Sequence, residues 1–266
     1  MLQDILLAFV ITLAIVIVAF WRGSLSRSGV LGALFVGILI FGLGGWEWGI
    51  LLGVFFVSSS LLSHFREEDK RIAAEKFDKG HKRDIGQVLA NGGLGSVIAV
   101  LSYLVPWLGW FHVFIGIMAT VTADTWATEL GTLAKRPPRL ITNGREVEVG
   151  SSGGVSPMGI AASAAGGAIV GLLAGLLVPE LSPLLGASMG TVGGLAGSVF
   201  DSLLGATVQQ IYYCEHCQKE TERKVHKCGH HTRPLRGWSW LNNDLVNFFA
   251  SAIGGAVALS IWWLIR

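Results

Sequence analysis

All but one of the 20 Lys and Arg residues lie in four segments that alternate with long apolar runs. These basic segments span residues 22–27, 66–83, 135–145 and 219–236, and only Arg266 lies outside them. Helices in lipid satisfy every backbone polar group internally, and basic loops stay on the cytoplasmic side of a membrane. The pattern therefore predicts a polytopic helical membrane protein whose four basic segments all face the cytoplasm.

The composition of the 266-residue chain excludes an ordinary soluble domain. Hydrophobic residues make up 52% of the chain and charged residues only 14%, with a mean hydropathy of +0.57. Soluble proteins contain roughly 25% charged residues. Nucleic-acid binding is disfavoured, because acidic residues interrupt the basic segments. The first apolar run follows no basic region and has no small-residue cleavage site, so we expect a retained span rather than a signal peptide.

Eight apolar runs are each close to the roughly 20 residues that a helix needs to cross a membrane. They cover residues 4–21, 28–44, 46–64, 87–105, 109–131, 156–178, 184–210 and 244–265. The expected fold class is all-α, with both termini on the non-cytoplasmic side. Glycine and alanine enrich several spans and allow close helix packing. Residues 1–266 form one membrane domain in this interpretation, and residues 211–240 form a cytoplasmic loop within it.

Polar residues cluster where the predicted spans meet the cytoplasm. A carboxylate within a span costs about 2.5–3.5 kcal/mol, so such residues are functional candidates. The clusters are Lys82, Arg83, Asp84, Gln87 and Asn91; Asp124, Thr125 and Glu129; residues 152–156; Asp201, Ser202 and Gln209; and Asn243, Asp244 and Asn247. Their shared depth predicts one polar site at the cytoplasmic face.

The residue types in these clusters are typical of phosphoryl chemistry. Carboxylate, amide and hydroxyl oxygens suit Mg²⁺ bound to phosphates. Glycine pairs at 92–93 and 153–154 are expected to supply helix N-terminal N–H groups for phosphate. Basic side chains could neutralise a triphosphate; they are Lys82, Arg83, Lys135, Arg136 and Arg145. No GxxxxGK[ST] or GxGxxG motif occurs. Alternatively, the polar groups pair across the bundle or line an ion path.

All three cysteines lie in the fourth basic segment or just before it. Cys214, Cys217 and Cys228 have spacings suited to tetrahedral Zn²⁺, and His226 or His230 would complete the site. Disulfides are disfavoured in a cytoplasmic loop. A closed four-ligand site would be structural. The alternatives are a redox pair or unrelated thiols in a solvated loop.

Five motifs in this chain resemble those of a known integral membrane family. They are KRDIGQVLANGG (82–93), TADTWATELG (122–131), SSGGVS (151–156), GSVFDSLLGATVQ (197–209) and GWSWLNNDLVN (237–247). The family includes the chloroplast phytyl-phosphate kinase and animal transmembrane protein 19, and is distantly similar to CTP-dependent dolichol and phytol kinases. The resemblance implies transfer of a phosphoryl group from a nucleoside triphosphate to a prenyl monophosphate.

The polar motif positions of that family are matched here by Asp84, Asn91, Asp124, Glu129, Asp201, Asn243, Asp244 and Asn247. We infer the individual roles from the residue types. Asp124, Asp201 and Asp244 would hold Mg²⁺, with Glu129 in support. Phosphates and substrate would be bound by Lys82, Arg83, Asp84, Gln87, Asn91, Gly92, Gly93, Thr125, Gly153, Gly154, Ser202, Asn243 and Asn247. The expected partners are a prenyl lipid and a nucleoside triphosphate, CTP being the favoured donor, and homo-oligomerisation is left open. The expected location is the plasma membrane of a prokaryote.

Several other functions use the same polar set. A prenol kinase or a lipid-phosphate cytidylyltransferase would differ only in acceptor and product. An ion-coupled transporter or lipid scramblase predicts polar residues at the membrane midplane and on both sides of it. Because the non-cytoplasmic half of the chain is apolar, the transporter or scramblase ranks second to the enzyme. A membrane scaffold ranks third.

Overall fold

A computed structural model describes residues 2–78, 80 and 82–266, and eight long helices account for most of them. The helices are α1 (Leu2–Trp21), α2 (Arg27–Gly44), α3 (Trp46–His64), α5 (Ile85–Leu104), α6 (Gly109–Gly131), α7 (Pro157–Leu177), α8 (Pro183–Thr207) and α9 (Asn243–Leu264). A short 3₁₀ helix (Glu67–Lys70) and α4 (Arg71–Ala74) connect α3 to α5. The eight helices that the sequence predicts are thus confirmed, with ends displaced by a few residues.

Side-chain caps explain where several of these helices begin. Ser26, Asp84, Ser156, Ser182 and Asn242 precede α2, α5, α7, α8 and α9, and each accepts a hydrogen bond from a backbone N–H in the first turn. Such caps satisfy donors that have no partner within the helix. Proline stands at the first position of α7 and α8, where its missing N–H costs nothing.

Six of the described helices are long and apolar enough to cross a membrane: α2, α3, α5, α7, α8 and α9. The other two long helices are α1 and α6. The apolar part of α1, Ile5–Trp21, is shorter, and α6 carries the charged residues Asp124 and Glu129. Large apolar side chains cover the outside of the bundle; Leu31 is 66% exposed and Leu184 80%. Contiguous exposed apolar surface of this kind suits lipid rather than water. The protein is a polytopic helical membrane protein.

Helix α6 is the centre of the bundle. It contacts α3, α5, α7, α8 and α9, and the side chains of Phe114, Ile115, Ile117 and Met118 on it are fully buried. Helices α1 and α2 lie to one side, where α2 contacts α3 and α5. Polar residues at the end of α6 are therefore surrounded by the ends of its neighbours.

Glycines allow α7 and α8 to cross in backbone contact. A Cβ atom built on Gly171 would lie 1.9 Å from the carbonyl oxygen of Gly186, and one on Gly190 would lie 2.2 Å from that of Gly167. Small residues permit such an approach in membranes, where packing drives helix association. The predicted role of most glycines in close helix packing agrees with these contacts.

Five short strands make the all-α prediction too narrow. β1 (Arg139–Leu140) pairs with β2 (Gly154–Val155). β3 (Ile211–Cys214) lies between β4 (Lys219–Thr221) and β5 (Arg233–Arg236) in an antiparallel sheet. The sheet lies within the predicted loop 211–240, where turn-rich sequence between cysteines gives no apolar periodicity from which strands could be predicted.

The basic segments meet at one end of the bundle. Residues 22–27 and 66–83 are joined because Ser26 N donates to Arg83 O and Arg83 N donates to Ser24 O, both at 3.0 Å. Lys76 links residues 66–83 to the fourth basic segment and to the connection that follows the third: its carbonyl accepts from Thr221 Oγ1 at 3.1 Å, and its Nζ donates to Ser151 Oγ at 3.0 Å. The predicted topology requires the basic segments to lie at the same end of the bundle.

Candidate functional site

A polar cavity of about 770 Å³ lies at the end of the bundle where the basic segments meet. It is bounded by the ends of α3, α5, α6, α7, α8 and α9 and by the connections between helices. Thirteen of the predicted site residues line it: Arg83, Gln87, Asn91, Asp124, Thr125, Glu129, Gly153, Gly154, Asp201, Ser202, Asn243, Asp244 and Asn247. The structure thus brings together residues from five sequence-distant regions in one pocket.

Two carboxylates on neighbouring helices line this cavity. Asp124 is on α6 and Asp201 is on α8, and Ser198 Oγ lies 3.4 Å from Asp124 Oδ1, within hydrogen-bond reach. Asp201 Oδ2 is buried and has no hydrogen-bond partner among the described residues. The charge of Asp124 repels that of Asp201. A buried carboxylate oxygen without a partner is costly, and a bound cation or a donor from a ligand would supply that partner.

Glu222 adds a third carboxylate that the sequence analysis did not identify. It follows β4, and its charge also repels Asp201. Its Oε1 accepts from Gln209 Nε2 at 2.8 Å and Ser152 Oγ at 3.0 Å, and its Oε2 accepts from Asp78 N at 3.2 Å. Burial raises the pKa of Glu222, although these hydrogen bonds act in the opposite direction. Nothing in the charged sequence KETERK distinguishes this residue from solvated neighbours.

Glu129 forms an ion pair and does not offer a free oxygen atom to a metal. Its Oε2 lies 2.5 Å from Lys70 Nζ, and its Oε1 accepts from Ser63 Oγ at 2.6 Å. Lys70 Nζ also donates to Leu62 O at 2.6 Å. Because both carboxylate oxygens are engaged, Glu129 is part of the cavity wall; it was expected to support the magnesium ligands, not to be one of them. Lys70 was not among the predicted site residues.

Arg83 brings a buried positive charge to the cavity. Its Nη1 donates to Ser60 Oγ at 3.0 Å, and its guanidinium carbon lies 5.7 Å from the centre of the Phe56 ring. Burial lowers the pKa of Arg83, and the nearby charge of Glu129 partly offsets that effect. An arginine stays protonated even after such a shift. The predicted phosphate-binding role of Arg83 is compatible with this position.

The other predicted cations lie outside the cavity. The side chains of Lys82, Lys135, Arg136 and Arg145 are exposed and do not line it. Arg223 and Lys224 line it instead, together with Lys70. All belong to charged connections, where sequence alone does not show which side chains turn inward.

The prediction of free backbone N–H groups for phosphate is wrong at several positions. Gly92 and Gly93 lie inside α5, where backbone N–H groups bond within the helix, and a Cβ on Gly92 would lie 2.6 Å from Val36. The N–H of Gly154 donates to Ser151 O at 2.9 Å. Asp84 caps α5 by accepting from Gln87 N at 2.9 Å. These positions serve helix packing and chain geometry.

The carboxylate set fits a cation that keeps part of its coordination for a substrate. Among the described residues, the acidic side chains do not form a cluster of three or more oxygen ligands that lie mutually within 4.8 Å. Mg²⁺ is usually held by one or two carboxylates, with substrate phosphates and waters completing its octahedron. Asp124 and Asp201 are suited to that mode, and the unpaired Oδ2 of Asp201 is the donor atom that most needs a cation.

A second group of ligands lies in the three-stranded sheet. The ligand atoms of Cys214, Cys217, His226 and Cys228 all lie within 4.8 Å of one another. The Sγ atoms of Cys214 and Cys228 are 3.7 Å apart. Two thiolates at about 2.3 Å from a tetrahedral zinc would be roughly 3.8 Å apart, whereas a disulfide requires about 2 Å. These four residues could hold a zinc ion.

The two candidate histidines are not equivalent. His226 is buried with its Nδ1 3.1 Å from Cys228 Sγ, whereas His230 stacks on His216 with ring centres 4.1 Å apart. Hydrogen bonds, first from the His230 backbone and then from His226, lower the pKa of Cys228 to about 5. His226 belongs to the four-residue group that could hold a metal, whereas His230, whose Nδ1 lies 3.5 Å from Cys228 Sγ, lies outside it.

Known proteins resemble this chain over most of its length. Residues 10–255 match the family described as "Integral membrane protein DUF92". The chain is 34% identical to Protein PGR of Arabidopsis thaliana over 92% of this chain and 91% of that protein. It is 33% identical to the uncharacterized membrane protein MJ0933 of Methanocaldococcus jannaschii over 55% of this chain and 60% of that one. No solved structure gives a significant match. A plant relative does not support the expected restriction to a prokaryotic plasma membrane.

Proposed function

This chain belongs to the DUF92 family of integral membrane proteins, and we propose that it is a prenyl-phosphate kinase acting at the cytoplasmic leaflet. In this proposal all eight long helices cross the membrane. The donor is a nucleoside triphosphate, CTP being favoured, and the acceptor is a prenyl monophosphate of the phytyl or geranylgeranyl type. The product is the corresponding prenyl diphosphate.

One observation carries the proposal: a single cavity holds convergent carboxylates and buried cations at the end of a membrane bundle. Asp124, Asp201 and Glu222 supply the negative side, and Lys70 and Arg83 supply the positive side. Phosphoryl transfer needs such a mixture, because both reactants are anionic and must be held in line while charge is neutralised. A volume of about 770 Å³ is in the range of pockets that enclose small ligands.

The proposed reaction requires no general base. A phosphate monoester has a second pKa of about 6, so its oxygen is already ionised near neutral pH. That oxygen attacks the γ-phosphorus of the donor and forms a new P–O bond. The bond between the γ-phosphorus and the bridging oxygen breaks, and its electron pair leaves on the nucleoside diphosphate. We assign Arg83 to the acceptor phosphate and Asn243 and Asn247 to the donor, because all three line the cavity.

Two metals have separate places in this proposal. Asp124 and Asp201 would hold Mg²⁺, which would offset the negative charge of the donor phosphates when bound. Asp244 lines the same cavity and remains a candidate third ligand. Zinc would be structural, because four protein ligands close its coordination sphere. It would fix the sheet whose strand β4 leads directly into Glu222.

An acceptor screen tests the proposal. Purified protein would be given Mg²⁺ and radiolabelled CTP, ATP, GTP or UTP, with phytyl or geranylgeranyl monophosphate, the parent alcohols or phosphatidic acid. A labelled prenyl diphosphate is the expected product. A labelled alcohol monophosphate would indicate a prenol kinase, and a nucleotidyl lipid a cytidylyltransferase; either would replace the proposed reaction. No product from folded protein, together with lipid or ion flux in liposomes, would replace it with transport.

A further inference from the structure

A second, apolar cavity lies beside the polar one. Its volume is about 240 Å³, and it is enclosed by α1, α2, α3 and α5. Aromatic residues, among them Phe41, Trp46 and Phe56, and glycines such as Gly53 form much of its wall. It extends along α2 from Ala33 to Phe41, which is about 12 Å at 1.5 Å per residue. This is room for part of a hydrocarbon chain.

The two cavities share three polar residues. Arg83, Gln87 and Asn91 line both of them and stand at the cytoplasmic end of the apolar one. The rest of the apolar cavity is almost wholly hydrocarbon and aromatic. A molecule that extended through this junction would place an anionic group beside Arg83 and an apolar chain between α1, α2, α3 and α5.

We propose that the apolar cavity binds the hydrocarbon chain of the acceptor, with its phosphate held at the Arg83–Gln87–Asn91 junction. This inference rests on the proposed function, since it names the tail site of the same substrate. The occupant is a lipid monophosphate with a single chain. One narrow cavity between four helices accommodates one chain, whereas phosphatidic acid would need to bury two. Burial of each methylene group favours binding, so the cavity selects for chain length.

The fixed backbone of Arg83 supports this placement. Residues Ser24 and Ser26, between α1 and α2, hold its N–H and carbonyl groups. The same connection joins two of the helices that form the apolar cavity. The guanidinium is therefore positioned relative to both walls of the tail site, and Phe56, over which it lies, belongs to the cavity wall.

Gly53 offers a way to fill the cavity without disturbing the fold. A Cβ built on Gly53 meets nothing within 4 Å, whereas one on Gly37 would lie 2.4 Å from Thr12 and one on Gly49 would lie 2.6 Å from Phe41. Gly53→Phe should therefore place an aromatic ring in the tail site. Val57→Phe is the matched control, because Val57 is one turn further along α3, is 49% exposed and does not line the cavity.

The first test is photo-crosslinking, which does not depend on catalysis. The probe is geranylgeranyl monophosphate carrying a diazirine at the end of its chain, added to full-length protein in detergent and mapped by peptide mass spectrometry. We expect labelling on α2 and α3 near Phe41 and Ile50, at least tenfold reduced by Gly53→Phe and unchanged by Val57→Phe. Excess unlabelled geranylgeranyl monophosphate should compete, and phosphatidic acid should compete poorly.

The outcomes separate the tail site from the kinase proposal. Labelling as expected without prenyl diphosphate formation would retain the tail site and reject the kinase. Prenyl diphosphate formation with labelling on α7 or α8 would retain the kinase and reject the tail site. Equal competition by phosphatidic acid, or equal labelling by the diazirine analogue of the uncharged alcohol, would overturn the single-chain phosphate assignment.

A kinetic test gives a second readout. In the transfer assay, Gly53→Phe should raise KM for geranylgeranyl monophosphate at least tenfold and leave KM for a five-carbon prenyl monophosphate and for the nucleotide within twofold. An equal rise for the short and long acceptors would show that the substitution does not act through the tail, and so would contradict the proposal.

Discussion

Lys70 and Glu129 join two regions of the chain 59 residues apart through an ion pair of 2.5 Å at the wall of the polar cavity. Their side chains are only 6% and 17% exposed. The pair fixes the short helical connection after α3 to the end of α6 that lines the cavity. A buried pair of this kind is sensitive to removal of one partner, because the remaining charge has no compensation.

Lys70→Met should lower the free energy of unfolding by about 3 kcal/mol, since it leaves the buried Glu129 carboxylate without its ion-pair partner. Thermal unfolding in detergent measures this as a lower midpoint. The control is Arg139→Met, which removes an ion pair to Glu146 whose partners are about 60% exposed; it should cost less than about 1 kcal/mol. Similar losses in the two variants would contradict a buried structural pair.

Gly171→Ala should destabilise the bundle by roughly 3 kcal/mol or prevent folding, because overpacking forces backbones apart. The added methyl group would lie 1.9 Å from a backbone carbonyl that cannot move aside. The matched variant Gly53→Ala adds the same group where there is open space and should be neutral or stabilise α3 by up to about 1 kcal/mol. The thermal unfolding midpoints of the two variants measure this difference in stability. An unchanged midpoint for Gly171→Ala would show that α7 and α8 are not in backbone contact.

Glu222 should make stability depend on pH. Burial raises its pKa in the folded protein, so the folded state binds a proton more readily than the unfolded state. Stability then falls as pH rises from the ordinary glutamate pKa of about 4.3 through the raised value, and the cost of the buried charge is fully present above it. Glu222→Gln removes this titration. Unfolding midpoints measured against pH should therefore decline less steeply in the variant, and parallel profiles would show that Glu222 does not titrate in this way.

Zinc binding should require His226 but not His230. His226→Ala removes a ligand from the four-residue group and should weaken zinc binding by roughly 100-fold or more, because loss of even a supporting partner costs about 10–100-fold. His230→Ala removes a ring that stacks on His216 and should leave the zinc content unchanged. Elemental analysis and a chelator competition measure both. A metal-free wild-type protein would exclude the zinc site.

The sequence predicts this fold well because lipid imposes simple rules. Apolar runs of the required length mark the eight helices, and the basic segments identify one end of the bundle. Asp124, Asp201 and Asn243 stand out because polar groups are rare next to apolar runs. Lys70 and Glu222 do not, since they lie in charged connections where a buried residue and a solvated one look alike. Tertiary contact alone turns these two inward.

The glycines show a second limit of sequence reasoning. Gly92 and Gly153 both precede apolar runs in polar company, and the sequence suggests phosphate-binding N–H groups for both. In the structure Gly92 packs on Val36 inside α5, whereas Gly153 has φ of +82° and packs on Ala206 of α8. Where a helix begins decides which N–H groups are free, and the Asp84 cap sets that point for α5.

We propose that Asp201 serves phosphoryl transfer within the polar cavity. The most direct measurement is ³¹P NMR of wild-type and Asp201→Asn protein incubated with Mg²⁺, CTP and geranylgeranyl monophosphate, with unfolding midpoints recorded in parallel. We predict prenyl diphosphate and CDP signals from the wild type only. The variant should be at least as stable, because an uncharged amide relieves the repulsion from Asp124 and Glu222. A stable Asp201→Asn protein that forms the diphosphate at the wild-type rate would contradict the claim.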